Sequence, residues 1–120
     1  MLPSENVAES GQTELHVQHI ACTNNAWFAI RFVVQRLDGD RAISQALGAG
    51  AFPINQTRSV DLSALRFHGQ ALAVGDRVRL RVGAAGGGRR NGPSVVYAPN
   101  GHSAGFSVRG TIASFSVNRI

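Results

Sequence analysis

Residues 77–82 read Arg77-Val78-Arg79-Leu80-Arg81-Val82, and this alternation decides the fold class. Successive side chains of a β-strand point to opposite sides, so the three apolar residues share one face and the three arginines the other. A helix would instead scatter the arginines around its circumference. The sequence therefore predicts a strand with one buried face and one solvated, positively charged face.

Other short apolar segments, separated by turn signals, lie on both sides of this strand. These candidate strands cover residues 13–22, 27–36, 56–62, 94–97, 106–109 and 111–118. Residues 41–47 fit either a short helix capped by Asp40 or a strand, and the surrounding β pattern favours the strand. Residues 63–74 are a longer connection with room for one helical turn near Ala64. Gly110 marks a bulge or bend, since the apolar face changes register there.

Seven or eight short strands and almost no helix predict an all-β fold. Parallel sheets need crossovers of a dozen or more residues, usually helical, and this sequence lacks them. We therefore expect one antiparallel β-sandwich domain over residues 13–120, immunoglobulin-like or jelly-roll, with a closed β-barrel as the alternative. Residues 1–12 are polar and predict a flexible N-terminal lead-in.

The positive charge of the 120-residue chain comes from arginine alone. Its twelve basic residues are all arginine, and the formal net charge is +5. The absence of lysine agrees with the codon bias of a GC-rich genome. The net charge attracts polyanions at low salt whatever its evolutionary origin.

Five arginines are candidate anion-binding residues. They are Arg77, Arg79, Arg81, Arg89 and Arg90. The first three form the charged strand face, for which a merely solvated surface is the alternative. The other two belong to the glycine-rich segment 83–92, where backbone amides and guanidinium groups can contact an anion. That segment lacks the Gly-Lys-Ser/Thr ending of a nucleotide-binding loop, and a plain flexible hairpin loop is its alternative.

Aromatic and amide side chains in loops form a second candidate site, because sugar-binding sites commonly combine the two. Its residues are Trp27, Asn24, Asn25, Tyr97, Asn100 and His102. Trp27 fits a stacking platform, but it also precedes an apolar strand and fits the core. Tyr97 also fits a half-buried strand residue with its hydroxyl group in water.

No residue pattern typical of catalysis or metal binding stands out. The chain lacks a glycine-flanked serine elbow and a carboxylate pair within strand reach. Its histidines have no partners at metal-ligand spacing. Cys22, the single cysteine, fits a small buried hydrophobic residue. We expect no enzymatic activity, no metal and no cofactor.

Targeting signals are also missing from the sequence. The N-terminal residues lack the basic start and apolar stretch of a signal peptide. No apolar run approaches the roughly 20 residues of a membrane-spanning helix. We therefore expect no transmembrane segment, and either a cytoplasmic location or export without a visible signal peptide.

Together these features favour a non-enzymatic, lectin-like binding module that recognises a carbohydrate or protein partner through its loops. One alternative is an arginine-mediated binder of polyanions, nucleic acid or anionic membrane. The other is a structural protein that assembles into homo-oligomers.

Overall fold

Ten β-strands and one 3-10 turn make up the regular structure of residues 15–120, the part of the chain that the computed structural model describes. The strands are β1 (His16–Val17), β2 (His19–Asn24), β3 (Ile30–Asp38), β4 (Arg41–Phe52), β5 (Thr57–Asp61), β6 (Arg77–Ala84), β7 (Arg89–Asn91), β8 (Val95–Tyr97), β9 (Ser103–Thr111) and β10 (Ser114–Arg119). The helical turn expected near Ala64 is the 3-10 turn at Leu62–Ala64. The lead-in expected at residues 1–12 lies outside the described residues.

The strands form two sheets that pack into a sandwich and do not close into a barrel. The large sheet has the strand order β1-β8-β6-β3-β4, and β7 pairs with β6 on the side that β8 also occupies. The small sheet has the order β10-β9-β2-β5. The all-β sandwich expected from the sequence is thus confirmed, and the barrel alternative is not.

Two strand pairings are parallel, which departs from a fully antiparallel sandwich. β1 lies parallel to β8 in the large sheet, and β2 lies parallel to β9 in the small sheet. The chain bends at Gln18 and passes there from one sheet to the other. A parallel pair needs a long connection. Here most of the chain supplies that connection in place of a crossover helix.

The core lies between the sheets, and β6 contributes its alternating apolar face. Val78, Leu80 and Val82 are completely buried, whereas the three arginines that alternate with them are only partly buried. The small sheet faces them with a second apolar set: Ile20, Cys22, Phe106 and Val108. The two-sided strand predicted at residues 77–82 is confirmed, as is the buried position of Cys22.

The ambiguous segment 41–47 is a strand, and it forms part of the twelve-residue β4. The glycine-rich segment is more ordered than a flexible loop. Its first residues extend β6 to Ala84, and residues 89–91 return as β7. A tight turn is therefore enough to connect the two strands.

The register change near Gly110 comes from a hairpin turn two residues further along. β9 and β10 are joined by Ile112 and Ala113, so Val108 pairs with Val117. Gly110 is still required, because its φ of 119° is unfavourable for other residues. A Cβ atom at this position would also collide with the carbonyl oxygen of Ser114.

Candidate functional site

The outer surface of the large sheet carries five arginines, which we call the arginine face. They are Arg31 of β3, Arg77, Arg79 and Arg81 of β6, and Arg89 of β7. Strand register brings them together, because Gly83 pairs with Arg31 on one side and with Arg89 on the other. Paired residues of neighbouring strands share a face, and alternate residues of one strand lie roughly 7 Å apart.

Arg77 and Arg79 are engaged within the protein. Arg77 donates from Nη1 to the carbonyl oxygen of Gly39 at 3.0 Å and from Nη2 to the Ser94 hydroxyl at 3.0 Å. Arg79 donates from Nε to Oε1 of the buried Gln35 at 2.9 Å. These hydrogen bonds occupy guanidinium donors that could otherwise bind an anion. Arg77 and Arg79 therefore stabilise the fold.

The other half of the arginine face surrounds Gly83. A Cβ atom on Gly83 would lie 3.7 Å from Nε of Arg31 and 3.9 Å from Cγ of Arg89, so the two side chains flank the glycine. Within residues 15–120, neither arginine has an ion pair, and neither side chain makes a hydrogen bond. The backbone carbonyl of Arg89 accepts a hydrogen bond from the side chain of Arg90. Arg81 donates once, from Nη1 to Oδ1 of Asn91 at 3.2 Å. Most guanidinium donors of this trio therefore have no partner within the described part of the chain.

A groove of about 260 Å³ runs between these three arginines and β4. Its other walls are largely apolar, and they include Val33, Leu47 and Ala49. Among residues 15–120, no acidic, serine, cysteine or histidine residue lines it. The groove thus offers cationic donors and apolar surface, but no side chain suited to nucleophilic or acid–base chemistry.

Arg90 does not belong to the arginine face, although the sequence groups it with Arg89. It pairs with Val82, whose side chain points into the core, so Arg90 lies on the opposite side of β7. Its guanidinium carbon is 5.0 Å from the centre of the Phe115 ring, in a cation–π contact. Arg31 completes the face instead, and its outward position in the alternating segment 27–36 is the signal that identifies it.

The six loop residues predicted as a second site do not come together. Asn24, Asn25 and Trp27 lie where β2 leads into β3. The remaining three are Tyr97, Asn100 and His102, and the carbonyl oxygen of His102 accepts a hydrogen bond from the amide of His19 at the start of β2. The six residues of β2 separate the groups by roughly 15–20 Å.

Asn24 and Tyr97 are buried, which does not fit contact with a ligand at the surface. Asn24 is 0% exposed and donates from Nδ2 to the carbonyl oxygens of Phe28 at 2.8 Å and Phe52 at 3.2 Å. Its Oδ1 accepts from the amide of Ala26 at 2.9 Å. Tyr97 is 6% exposed within the core cluster. Asn24 therefore holds the β2–β3 connection in place.

The amide side chains of Asn100 and Asn25 also form hydrogen bonds that stabilise the local structure. Asn100 donates from Nδ2 to the carbonyl oxygen of His16 at 2.9 Å, and its Oδ1 accepts from the amide of His102. Asn25 donates from Nδ2 to the Ser107 hydroxyl at 2.7 Å.

Trp27 is the exception, because 86% of its surface is exposed and it is not a core residue. It lies at one end of the sandwich, which we call the loop end: residues 25–29, 53–56, 85–88 and 112–113. The amide of Ala85 donates to the carbonyl oxygen of Ala29 at 3.0 Å, and Gly87 lies against Ile112. The loop end is therefore one continuous surface contributed by both sheets.

Charge is distributed unevenly along the domain. Five exposed arginines lie at or next to the loop end: Arg31, Arg58, Arg89, Arg90 and Arg109. Every acidic residue of the described range lies towards the other end of the strands: Asp38, Asp40, Asp61 and Asp76. Hydrogen bonds from the side chain and backbone of Ser63 hold the pKa of Asp61 below its usual value, so that carboxylate is charged at neutral pH.

Two further kinds of reactive group are the single thiol and potential metal ligands. Burial raises the pKa of the Cys22 thiol to about 12, so it is not a nucleophile at neutral pH. Within residues 15–120, no three His, Cys, Asp or Glu side chains cluster closely enough to hold a metal ion. The described part of the chain also contains no helix with the length and apolarity needed to cross a membrane.

Comparisons with known proteins do not assign the chain to a family. No family model matches it. No curated protein matches it either. A solved structure of pneumolysin is similar to 85% of this chain with a TM-score of 0.44 and 12% sequence identity, and the match covers 23% of that protein's chain. A similarity this weak carries no argument about function.

Proposed function

We propose that this domain is a non-enzymatic binding module for anionic partners, and that it binds them through the half of the arginine face around Gly83. The observation that carries the proposal is the convergence of Arg31, Arg81 and Arg89 on one groove that no acidic residue of the described range 15–120 lines. This reverses the order of the hypotheses drawn from the sequence, because two of the five predicted arginines, Arg81 and Arg89, converge with Arg31 whereas the loop residues do not come together.

The chemistry of the groove favours phosphate, sulfate or carboxylate groups. Guanidinium groups donate paired hydrogen bonds that match the oxygens of these anions. The side chains of Arg31 and Arg89 pack on either side of Gly83, where a Cβ atom would lie 3.7 Å from Nε of Arg31 and 3.9 Å from Cγ of Arg89. Like charges on neighbouring strands repel each other, and physiological salt screens this repulsion only over about 8 Å. A bound anion relieves their repulsion and makes use of their free donors.

Heparin-affinity chromatography tests this proposal with two double variants of equal net charge. Arg31→Gln/Arg89→Gln removes the two arginines beside Gly83. Arg41→Gln/Arg66→Gln removes two exposed arginines from the far end of the domain. We expect the first pair to elute at clearly lower salt than the wild type and the second pair to elute close to it. Equal elution of both pairs would show attraction by net charge alone and refute the proposed site.

A third variant tests the groove without changing its charge. A Cβ atom on Gly83 makes only ordinary van der Waals contacts, so Gly83→Ala is expected to fold. Its methyl group occupies the space between Arg31 and Arg89. Retention on heparin should therefore weaken although all arginines remain.

Recognition of a carbohydrate or protein through the loops is the second candidate function, and the exposure of Trp27 supports it. A glycan array and protein pull-downs with the wild type and Trp27→Ala test this candidate. Binding that depends on Trp27 but not on Arg31 and Arg89 would favour it over anion binding.

Assembly into homo-oligomers is a third candidate. β4 is the terminal strand of the large sheet and exposes 71% of Leu47 and 43% of Ile43. Unpaired strand edges with apolar side chains can associate between copies. Light scattering that reports a monomer at micromolar concentration would count against it.

A further inference from the structure

The loop end combines exposed apolar side chains with positive charge. Trp27 and Ile112, which are 86% and 44% exposed, project from two different loops of this surface. The loop of residues 85–88 lies between these two loops and contacts both. A Cβ atom on Gly87 would lie 2.8 Å from Cγ1 of Ile112, and the amide of Ala85 donates to the carbonyl oxygen of Ala29. Two apolar side chains thus project from the same end of the molecule.

Arginines of both sheets lie close to the same end of the molecule. Arg31 and Arg89 flank Gly83, one residue before the end of β6, and Arg109 lies one residue beyond Val108, whose carbonyl oxygen accepts from the amide of Asn25. The four acidic residues of the described range lie roughly 15–25 Å away along the strands. Because positive and negative charges lie towards opposite ends of the domain, a negatively charged surface attracts the loop end and orients the protein with that end towards it.

The combination favours an anionic lipid bilayer over a soluble polyanion. The amphipathic ring of tryptophan is enriched where lipid headgroups meet hydrocarbon. Long arginine side chains can lay their apolar stems along such a boundary while their guanidinium groups reach lipid phosphates. A soluble polyanion would use the arginines but would leave Trp27 and Ile112 in water.

We infer that the loop end docks on membranes containing anionic phospholipids, with Trp27 and Ile112 in the interfacial layer and Arg31 and Arg89 on lipid phosphates. The inference rests on the proposed anion-binding function and names the partner of the same arginines. It needs no spanning segment, because an exposed apolar tip and positive charge together hold a protein reversibly at a membrane surface.

The test uses the single tryptophan of the chain as a probe, since its emission reports on the loop end alone. The full-length protein is mixed with vesicles of phosphatidylcholine, either pure or containing phosphatidylserine. We expect a blue shift of Trp27 emission and protection from acrylamide quenching only with phosphatidylserine, both reversed by high salt. Co-sedimentation measures the affinity independently.

Three variants separate the contributions. Arg31→Gln/Arg89→Gln should lower the vesicle affinity roughly 30-fold, at about one factor of five per arginine near an anionic surface. Trp27→Ser should lower it roughly tenfold and leave heparin retention unchanged. The control Arg41→Gln/Arg66→Gln should change neither affinity appreciably.

The outcomes distinguish this inference from the proposed function. Retention on heparin without binding to phosphatidylserine vesicles would overturn the membrane inference and leave anion binding standing, whereas loss of both would overturn both. Vesicle binding without a shift of Trp27 emission would overturn the orientation by the loop end. Equal binding to both vesicle types would overturn the role of the arginines. A shift of Trp27 caused by an oligosaccharide alone would assign the loop end to a glycan and refute the inference.

Discussion

Replacing Asn24 by alanine separates a structural role from the ligand-binding role that its sequence context suggests. Its side chain makes three hydrogen bonds, to the carbonyl oxygens of Phe28 and Phe52 and from the amide of Ala26. Because Asn24 is completely buried, the alanine variant leaves these backbone groups without partners and without water.

The expected cost follows from the number of groups that lose their partner. Each hydrogen bond contributes about 1 kcal/mol net, and an orphaned buried group costs up to about 3 kcal/mol. Allowing for partial relaxation, we expect Asn24→Ala to lower the free energy of unfolding by about 3–5 kcal/mol. This is a large share of the roughly 5–15 kcal/mol that stabilises a typical domain. The melting temperature should fall by about 10–20 °C.

Urea unfolding followed by circular dichroism measures this effect, and the exposed Trp27 is a poor reporter for it. Asn25→Ala is the matched control, since Asn25 makes one side-chain bond, to Ser107, and is half-exposed. It should cost about 1 kcal/mol. The denaturant slope should stay unchanged in both variants. A loss below about 1 kcal/mol for Asn24→Ala, or one no larger than for Asn25→Ala, would refute the buried network.

Two further predictions concern positions at which the backbone or burial is decisive. Gly110→Ala should destabilise the domain by about 2–4 kcal/mol, because its positive φ and the nearby Ser114 carbonyl disfavour any side chain. Gly69→Ala, with positive φ but open space, should cost only about 1 kcal/mol, and equal losses in chemical denaturation would contradict this reasoning. Cys22 should resist Ellman's reagent in the native protein and react after unfolding in urea, because burial raises its pKa to about 12. Rapid labelling without denaturant would show that the thiol is accessible.

Alternation along single strands made much of the fold predictable. The side-chain period of two residues assigns both faces of residues 77–82 without knowledge of the neighbouring strands. The same local rule places Arg31 on the outer side of its strand. What it cannot supply is the partner strand, so the parallel pairing of β2 with β9 follows only from the three-dimensional structure.

The candidate sites were less predictable, because they depend on turn positions and remote contacts. Whether Arg89 or Arg90 joins the arginine face depends on where the glycine-rich segment turns, and several glycines make that position ambiguous. Asn24 looks like a surface turn residue in Thr23-Asn24-Asn25. Its side chain is nevertheless buried and donates a hydrogen bond to the carbonyl oxygen of Phe52, which is distant in sequence. Trp27 is a large apolar residue just before an apolar strand, which is typical of a core residue. It is exposed because it lies in the loop that precedes β3.

The place of β2 in the small sheet has a consequence for how the protein is synthesised. This strand is translated early, but it lies between β5 and β9, and β9 comes near the end of the chain. Until the ribosome has released Ser103–Thr111, one edge of the nascent strand has no partner. Folds built on such distant pairings form in milliseconds to seconds, more slowly than helical domains of similar size. During that interval the growing chain is vulnerable to association with other copies, and a chaperone that shields the unpaired edge would raise the yield of folded protein.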